Sequence, residues 1–187
     1  ATAVLVAVHG PVVTPLLGPT SIGGVGGVGL ALRLDPLSAA LFALIAFLGA
    51  IIVQYSRNYL DGDPRQGRFL GDLCLTLGAV SLLVLSGTLV QLAAAWIGTS
   101  LALHRLLVFF PQRRDAVIAA RKKFLCARMS DLALLIACAL LIAAFGTADL
   151  AALLDRARAA LQAGVVPPTV GVAAALIAVA AALKSAQ

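Results

Sequence analysis

The sequence predicts an all-α fold, a polytopic transmembrane helix bundle with a short extracytoplasmic hairpin region near its N-terminus. Hydrophobic residues make up 61% of the 187 residues and charged residues only 12%, whereas about 25% of residues are charged in an average soluble domain. Five apolar runs approach the ~20 residues that a helix needs to cross a bilayer, and polar or turn-forming segments separate them. These observations predict one membrane-embedded domain and no soluble domain.

Residues 1–34 form the first element, which we expect to be an extracytoplasmic hairpin or connector. Its last part, SIGGVGGVGLALRL from Ser21 to Leu34, interrupts β-branched residues with glycines, which is typical of a hairpin. These glycines form no nucleotide-binding loop, because the lysine and the following Ser or Thr of a P-loop are absent. Residues 1–8 could also be the tail of a preceding span.

The transmembrane bundle is predicted over residues 35–187, starting where Asp35 can cap a helix and Pro36 suits its first position. The polar, turn-rich connector 56–68 separates the first two spans. The five spans are predicted near 36–55, 69–85, 89–110, 124–145 and 169–187, and we expect the last to be truncated.

A shorter amphipathic segment lies at 149–163, between the fourth and fifth spans. Its apolar residues recur at helical spacing, and Asp155, Arg156 and Arg158 occupy the opposite face. We therefore expect an interfacial helix there rather than a further span.

The basic residues predict the topology and argue against nucleic-acid binding. The formal net charge is +6, yet the basic residues gather in loops instead of forming a stripe with interleaved aromatics. Nine lie on one side of the predicted membrane and three on the other, so the side with nine is predicted to be cytoplasmic. The nine are Arg57, Arg65, Arg68, Arg105, Arg113, Arg114, Arg121, Lys122 and Lys123.

Metal binding and enzymatic catalysis are not predicted for this chain. Cys74, Cys126 and Cys138 are isolated within apolar runs, and the histidines are His9 and His104. They form neither a CxxC pair nor a cluster with metal-ligand spacing. We expect no catalytic, cofactor-binding or metal-binding residue here.

Charged residues inside the predicted spans are the strongest functional signal. Such residues usually face a bundle interior or a wet path, because a charge in hydrocarbon costs at least ~2.5 to 3.5 kcal/mol on insertion scales. Arg128 and Asp131 are three residues apart, so one helix face can pair them. A buried Lys184 can exchange a proton, although it also fits the end of the fifth span. Lys122 and Lys123 alone fit a cytoplasmic anchor.

His104, in the third predicted span, has two interpretations. Histidine suits proton relay, because small changes in its surroundings move its charge across neutral pH. The adjacent Arg105 and the nearby Pro111 favour instead a helix that approaches its cytoplasmic end, where a histidine is only interfacial.

Seven short motifs along the chain carry a resemblance to a known superfamily. In order they are LDPLS (34–38), YSRNYLDGDPRQGRFL (55–70), LVLSGTL (83–89), AAWIGTSLALHRLL (94–107), AARKKFLCARMSD (119–131), FGTADL (145–150) and LKSAQ (183–187). Together they resemble the antiporter-like subunits of respiratory complex I and of Mrp antiporters, over nearly everything after residue 30. The SLALHRLL string, the doubled lysine and the GDPRQGRFL connector are most similar to the membrane subunit of the DAB inorganic-carbon transporters.

The resemblance implies a fragment of a longer prokaryotic inner-membrane subunit, from its third helix to the start of its seventh. In that superfamily protons follow a polar axis through a glutamate of the fifth helix, charged residues of the sixth and a lysine of the seventh. Lys122, Arg128 and Asp131 match the sixth-helix positions, and Lys184 matches the lysine. These residues are therefore implied to form the proton or ion pathway.

One position departs from the pattern of complex I subunits. Where they have Trp-Glu, this chain has Trp96 followed by Ile97, which cannot bind a proton. His104 lies seven residues later, two turns along the same helix face and ~10 Å away. We hypothesise that His104 takes the place of the missing glutamate.

The resemblance thus implies a cation-conducting subunit, with the proton as the expected cation, of an energy-coupled inorganic-carbon (CO2/bicarbonate) uptake complex, and not an enzyme by itself. Its implied partners are the lipid bilayer and a soluble carbonic-anhydrase-like subunit, which would hold zinc, while this chain holds no cofactor. The basic loop 112–123 is a candidate docking surface. The alternatives are a proton-translocating subunit of NADH-quinone oxidoreductase, an Mrp-type cation antiporter, or a purely structural scaffold.

Overall fold

The structure is a computed structural model that describes residues 12–17, 21–22, 25–26, 28–109 and 114–185. Most of these residues are helical, which confirms the predicted all-α membrane class. The helices in the described part of the chain are α1 Pro36–Tyr59, α2 Gln66–Val84, α3 Leu89–Leu107, α4 Arg114–Phe145, α5 Leu150–Gln162 and α6 Pro168–Ser185.

Four of these helices are long and apolar enough to cross a membrane: α1, α2, the Ile118–Phe145 part of α4, and α6. In α1 and α6 only 11% of the most apolar stretch is buried inside the protein. Large side chains such as Phe47 therefore face outward, where lipid takes the place of a protein core. The chain is a multi-pass membrane protein segment.

The predicted third span corresponds to α3, which is not among those four helices. Gln91, His104 and Arg105 interrupt its apolar sequence. That α3 crosses the membrane stays a prediction.

Helix α4 begins earlier than the sequence predicted. We expected a basic loop at 112–123 and a span from about 124, whereas α4 is already helical at Arg114. The loop prediction is wrong because this segment is rich in Ala, Arg and Lys, which are among the best helix formers. The candidate docking surface is therefore the first part of a helix, and residues 110–113 lie outside the described residues.

The predicted cap of α1 is present. The Oδ1 atom of Asp35 accepts a hydrogen bond from the Ser38 N–H at 2.7 Å, and the Ser38 Oγ accepts one from the Asp35 N–H at 2.8 Å. The first of these bonds is the main reason why the pKa of Asp35 lies below its ordinary value of 3.8. Asp149 caps α5 in the same way, accepting a bond from the Ala152 N–H, so α5 begins within the predicted amphipathic segment.

Residues 12–34 contain short strands: β1 Val12–Leu17, β2 Ser21–Ile22, β3 Val25–Gly26 and β4 Leu30–Leu34. β1 lies beside β4, and β2 pairs antiparallel with β3. The extracytoplasmic hairpin region predicted near the N-terminus is not confirmed, and the described strands form two separate pairs. The suggested tail of a preceding span, residues 1–8, lies outside the described residues.

The chain divides into two compact units. Among the described residues, the first unit comprises Arg33–Leu85 and Ala95–Phe124. Within it α1 packs closely on α2, and Gly49 leaves only enough room for Leu77. A Cβ atom at Gly49 would lie 3.0 Å from the Leu77 Cδ1 atom.

The second unit comprises Val13–Leu32, Ser86–Ala94 and Leu125–Gln187. Backbone hydrogen bonds join three distant segments of it in a cluster that we name the clasp (Gly26, Ala31, Gly87, Ala148 and Leu150). The Gly87 N–H donates to the Ala31 carbonyl at 2.8 Å, the Leu150 N–H to the Gly87 carbonyl at 3.0 Å, and the Ala148 N–H to the Gly26 carbonyl at 2.7 Å. The clasp satisfies backbone groups that would otherwise be unpaired at the ends of the helices.

Candidate functional site

The second unit contains the predicted ion pair of α4. The Arg128 Nη2 atom lies 2.6 Å from the Asp131 Oδ2 atom. The Asp131 side chain is buried, at 4% exposure, while that of Arg128 is 32% exposed. The pairing predicted from the three-residue spacing is confirmed, and its role in an ion pathway stays a prediction.

Ser130 ties this ion pair to α6. Its Oγ donates a hydrogen bond of 2.8 Å to the Ala180 carbonyl, and the residue has no exposed surface. Lys184 is half-buried one helical turn after Ala180. The turn of α6 that leads to the candidate lysine is thus attached to the turn of α4 that carries Arg128 and Asp131.

The first unit contains His104, on α3. Its ring lies 4.7 Å, centroid to centroid, from the Phe124 ring of α4. The same histidine lines a cavity of about 400 Å³. The other residues that line the cavity are Arg65, Arg68, Asp72, Arg105, Val108 and Phe109.

Asp72, on α2, is the site residue that sequence reasoning missed. Its Oδ1 atom lies 2.9 Å from the Arg105 Nη2 atom, and the Asp72 side chain is 6% exposed, against 58% for Arg105. Asp72 is the single charged residue in the apolar run 69–85. The criterion that selected Arg128 and Asp131 could therefore have selected it too.

Two further positions named in the sequence analysis, Lys122 and Ile97, make no charged contact with the described residues. Lys122 is exposed on α4 and forms no ion pair with the described residues. Ile97 is half-buried on α3, where the preceding Trp96 carbonyl accepts a bond from the Thr99 Oγ at 2.8 Å. Over the described ranges no three His, Cys, Asp or Glu residues group together as metal ligands.

Two protein-family models match the chain. One, described as NADH-Ubiquinone oxidoreductase (complex I), chain 5 N-terminus, matches residues 22–70. The other, described as NADH:quinone oxidoreductase/Mrp antiporter, TM, matches residues 69–187. The two matches together cover the chain from β2 onward.

Individual relatives fall into two groups by name. A probable inorganic carbon transporter subunit DabB2 of Halothiobacillus neapolitanus is 37% identical over 92% of this chain and 31% of its own length. A probable inorganic carbon transporter subunit DabB of Hydrogenovibrio crunogenus is 42% identical over 59% of this chain and 22% of its own. NADH-quinone oxidoreductase subunit L of Mycobacterium tuberculosis is 36% identical over 64% of this chain and 19% of its own length. The chain thus spans less than a third of the length of these relatives.

Proposed function

The chain belongs to the transmembrane family of NADH:quinone oxidoreductase and Mrp antiporter subunits. We propose that it is part of a membrane subunit that conducts protons and thereby drives the uptake of inorganic carbon. The observation that carries this proposal is the Arg128–Asp131 ion pair, with Ser130 attaching it to α6 one turn from Lys184. Ionisable groups inside a span are expensive in lipid and are typical of ion paths.

Asp131 and Arg128 differ in burial, and we propose that Asp131 changes its positive partner during transport. Asp131 is buried, so its ionised carboxylate needs a positive neighbour. Arg128 is 32% exposed as a side chain, but its Nε and Nη2 atoms are buried, so in this proposal it leaves Asp131 only when another positive charge takes its place. A lysine held in apolar surroundings gives up and regains its proton as neighbouring charges change. We propose that Lys184 is that group, and that Lys122 supplies protons from the predicted cytoplasmic side.

Uptake of inorganic carbon is favoured over respiration by the extent of the similarity. The inorganic-carbon relative aligns with 92% of this chain, against 64% for subunit L, at nearly equal identity. Ile97 also stands where the complex I pattern has a carboxylate. We further propose a soluble carbonic-anhydrase-like partner that holds the zinc and hydrates CO2, with the first part of α4 as its docking surface.

A proton-translocating subunit of NADH-quinone oxidoreductase is the second candidate. It is supported by the family descriptions, which name that enzyme for both matched regions. It predicts proton movement that depends on NADH oxidation, whereas the first candidate predicts proton movement coupled to CO2 hydration.

The test is growth in air of a bacterial strain that lacks carbonic anhydrase. The full-length gene, expressed together with its soluble partner, should restore growth, and a protonophore should abolish the effect. Lys184→Ala should prevent rescue while the protein stays in the membrane, and Arg158→Ala, on the exposed face of α5, should rescue normally. Full rescue by Lys184→Ala would refute the assigned pathway. Rescue without a proton gradient would refute proton coupling itself.

A further inference from the structure

The cavity of the first unit is lined by several charged residues that have no role in the proposed pathway. Of the residues that line it, only His104 was assigned to that pathway. Asp72 is buried on α2, and the partner that the structure gives it is Arg105 of α3. Arg65 and Arg68 also line the cavity, so three arginines surround one carboxylate. Arg65 is in addition paired with the exposed Asp63 at 3.4 Å.

The two members of the Asp72–Arg105 pair differ in exposure. The aspartate is almost fully buried, whereas more than half of the arginine side chain is exposed. Fewer neighbours therefore hold Arg105 in place than hold Asp72. A buried carboxylate without a positive partner is strongly disfavoured unless it is protonated. Two arrangements avoid an unpaired buried charge: a carboxylate with Arg105 bound, which is the one observed, and a neutral carboxyl group with Arg105 released.

His104 is positioned to deliver that proton. It is adjacent to Arg105 in sequence and lines the same cavity as Asp72, while Phe124 of α4 packs against its ring. A cavity of about 400 Å³ has room for several water molecules next to polar walls. Water can then connect the imidazole to the carboxylate.

The surroundings favour a proton over a metal cation. Sodium or calcium ions need several oxygen ligands, and the described cavity wall offers a single carboxylate among three arginines. A metal cation would therefore have too few oxygen ligands, whereas a proton needs a single basic atom, which the His104 imidazole or the Asp72 carboxylate supplies.

We propose that Asp72 and His104 form a proton-loading site, with Arg105 as the counter-ion that leaves when the carboxylate is protonated. A proton from the aqueous phase is relayed by cavity water to the imidazole, and the imidazolium passes it to an Asp72 oxygen and becomes neutral again, while the guanidinium of Arg105 stays protonated throughout. Asp72 thereby supplies, from the neighbouring helix, the carboxylate that is missing at Ile97. The inference rests on the proposed proton conduction and adds where protons enter.

The test is proton flux into liposomes that contain the full-length protein with the subunits that purify with it. A pH-sensitive dye inside the liposomes reports flux driven by an imposed membrane potential. Asp72→Asn and His104→Gln should each lower the flux about tenfold or more. Asp155→Asn, in the exposed pair with Arg158 on α5, is the matched control and should leave the flux unchanged.

Arg105→Gln distinguishes proton loading from a structural ion pair. It should retain flux, but the pH dependence of the flux should change, because the Asp72 carboxylate loses the positive charge paired with it. The double variant Asp72→Asn/Arg105→Gln leaves no unpaired charge and should still lack flux.

Three results would overturn the inference while wild-type flux is intact. They are wild-type flux in Asp72→Asn, an unchanged pH profile in Arg105→Gln, and recovery of flux in the double variant. Wild-type protein that carries no proton flux would overturn the proposed function and this inference with it.

Discussion

Gly87→Ala is predicted to destabilise the protein by acting on the clasp. An alanine Cβ at this position would lie 2.7 Å from the Ala31 carbonyl oxygen and 2.9 Å from the Ala31 Cβ. Both distances are shorter than ordinary contacts, so one of the two backbone segments must move. Gly87 is held on both sides, because its N–H donates to Ala31 and its carbonyl accepts from Leu150.

The size of the loss in folding free energy can be worked out from these contacts. Overpacking at a tightly packed site costs about 1 to 3 kcal/mol. Movement away from Ala31 also weakens the 2.8 Å hydrogen bond, and such a bond contributes about 1 kcal/mol. The expected loss of folding free energy is therefore roughly 2 to 4 kcal/mol. That loss lowers the apparent melting temperature and leaves the protein able to fold.

The assay is thermal denaturation of the purified full-length protein in detergent, with the folded fraction followed by size-exclusion chromatography. Gly78→Ala is the control, because nothing lies within 4 Å of a Cβ atom at that position of α2. It should be neutral or stabilise by up to about 1 kcal/mol, since alanine is the better helix former. Equal melting temperatures for Gly87→Ala and Gly78→Ala would refute the assignment of the clasp as a rigid, closely packed junction.

Three further predictions concern the helices. Ser130→Ala should lower stability by about 0.5 to 1.5 kcal/mol, through loss of the bond to Ala180, and an unchanged melting temperature would show that this bond contributes nothing. Asp131→Ala should destabilise the protein by on the order of 3 kcal/mol, because its half-buried arginine partner loses its counter-charge. The control Asp155→Ala, in the exposed pair of α5, should cost less than about 1 kcal/mol. Similar losses of stability in the two variants would contradict the burial argument. Because the Ser38 N–H lowers the pKa of Asp35, the cap contributes fully above the ordinary value of 3.8 and is lost as the pH falls through the lowered pKa. Acid unfolding of Asp35→Asn, followed by circular dichroism, should therefore lack that part of the pH dependence, and acid curves that coincide would contradict it.

The features predictable from sequence are those set by neighbours along the chain. Asp35 and Pro36 predicted the start of α1, and the spacing of Arg128 and Asp131 predicted their ion pair, because helix geometry determines both. Four of the five predicted spans coincide with helices long and apolar enough for a membrane. Local sequence carries enough information for such features.

The missed features depend on packing between helices. Asp72 and Arg105 are distant in sequence and meet because α2 packs beside α3. Ser130 was passed over because nothing local indicates that its hydroxyl reaches a carbonyl of α6. The basic segment before the fourth span was assigned to a loop from its charge, although its helix-forming residues outweigh that signal.

The clasp also bears on how the protein is made. Gly26 of the clasp also accepts a hydrogen bond from the Thr147 Oγ, and these two residues are 121 residues apart in sequence. At a synthesis rate of about 5 to 20 residues per second, Gly26 leaves the ribosome roughly 6 to 24 seconds before Thr147. During that interval α1, α2 and α3 are synthesised, and the N-terminal strands do not yet have their partners from residues 147 and 148. The clasp can be completed only after the start of α5 has been synthesised, because the Gly87 carbonyl accepts its hydrogen bond from the Leu150 N–H.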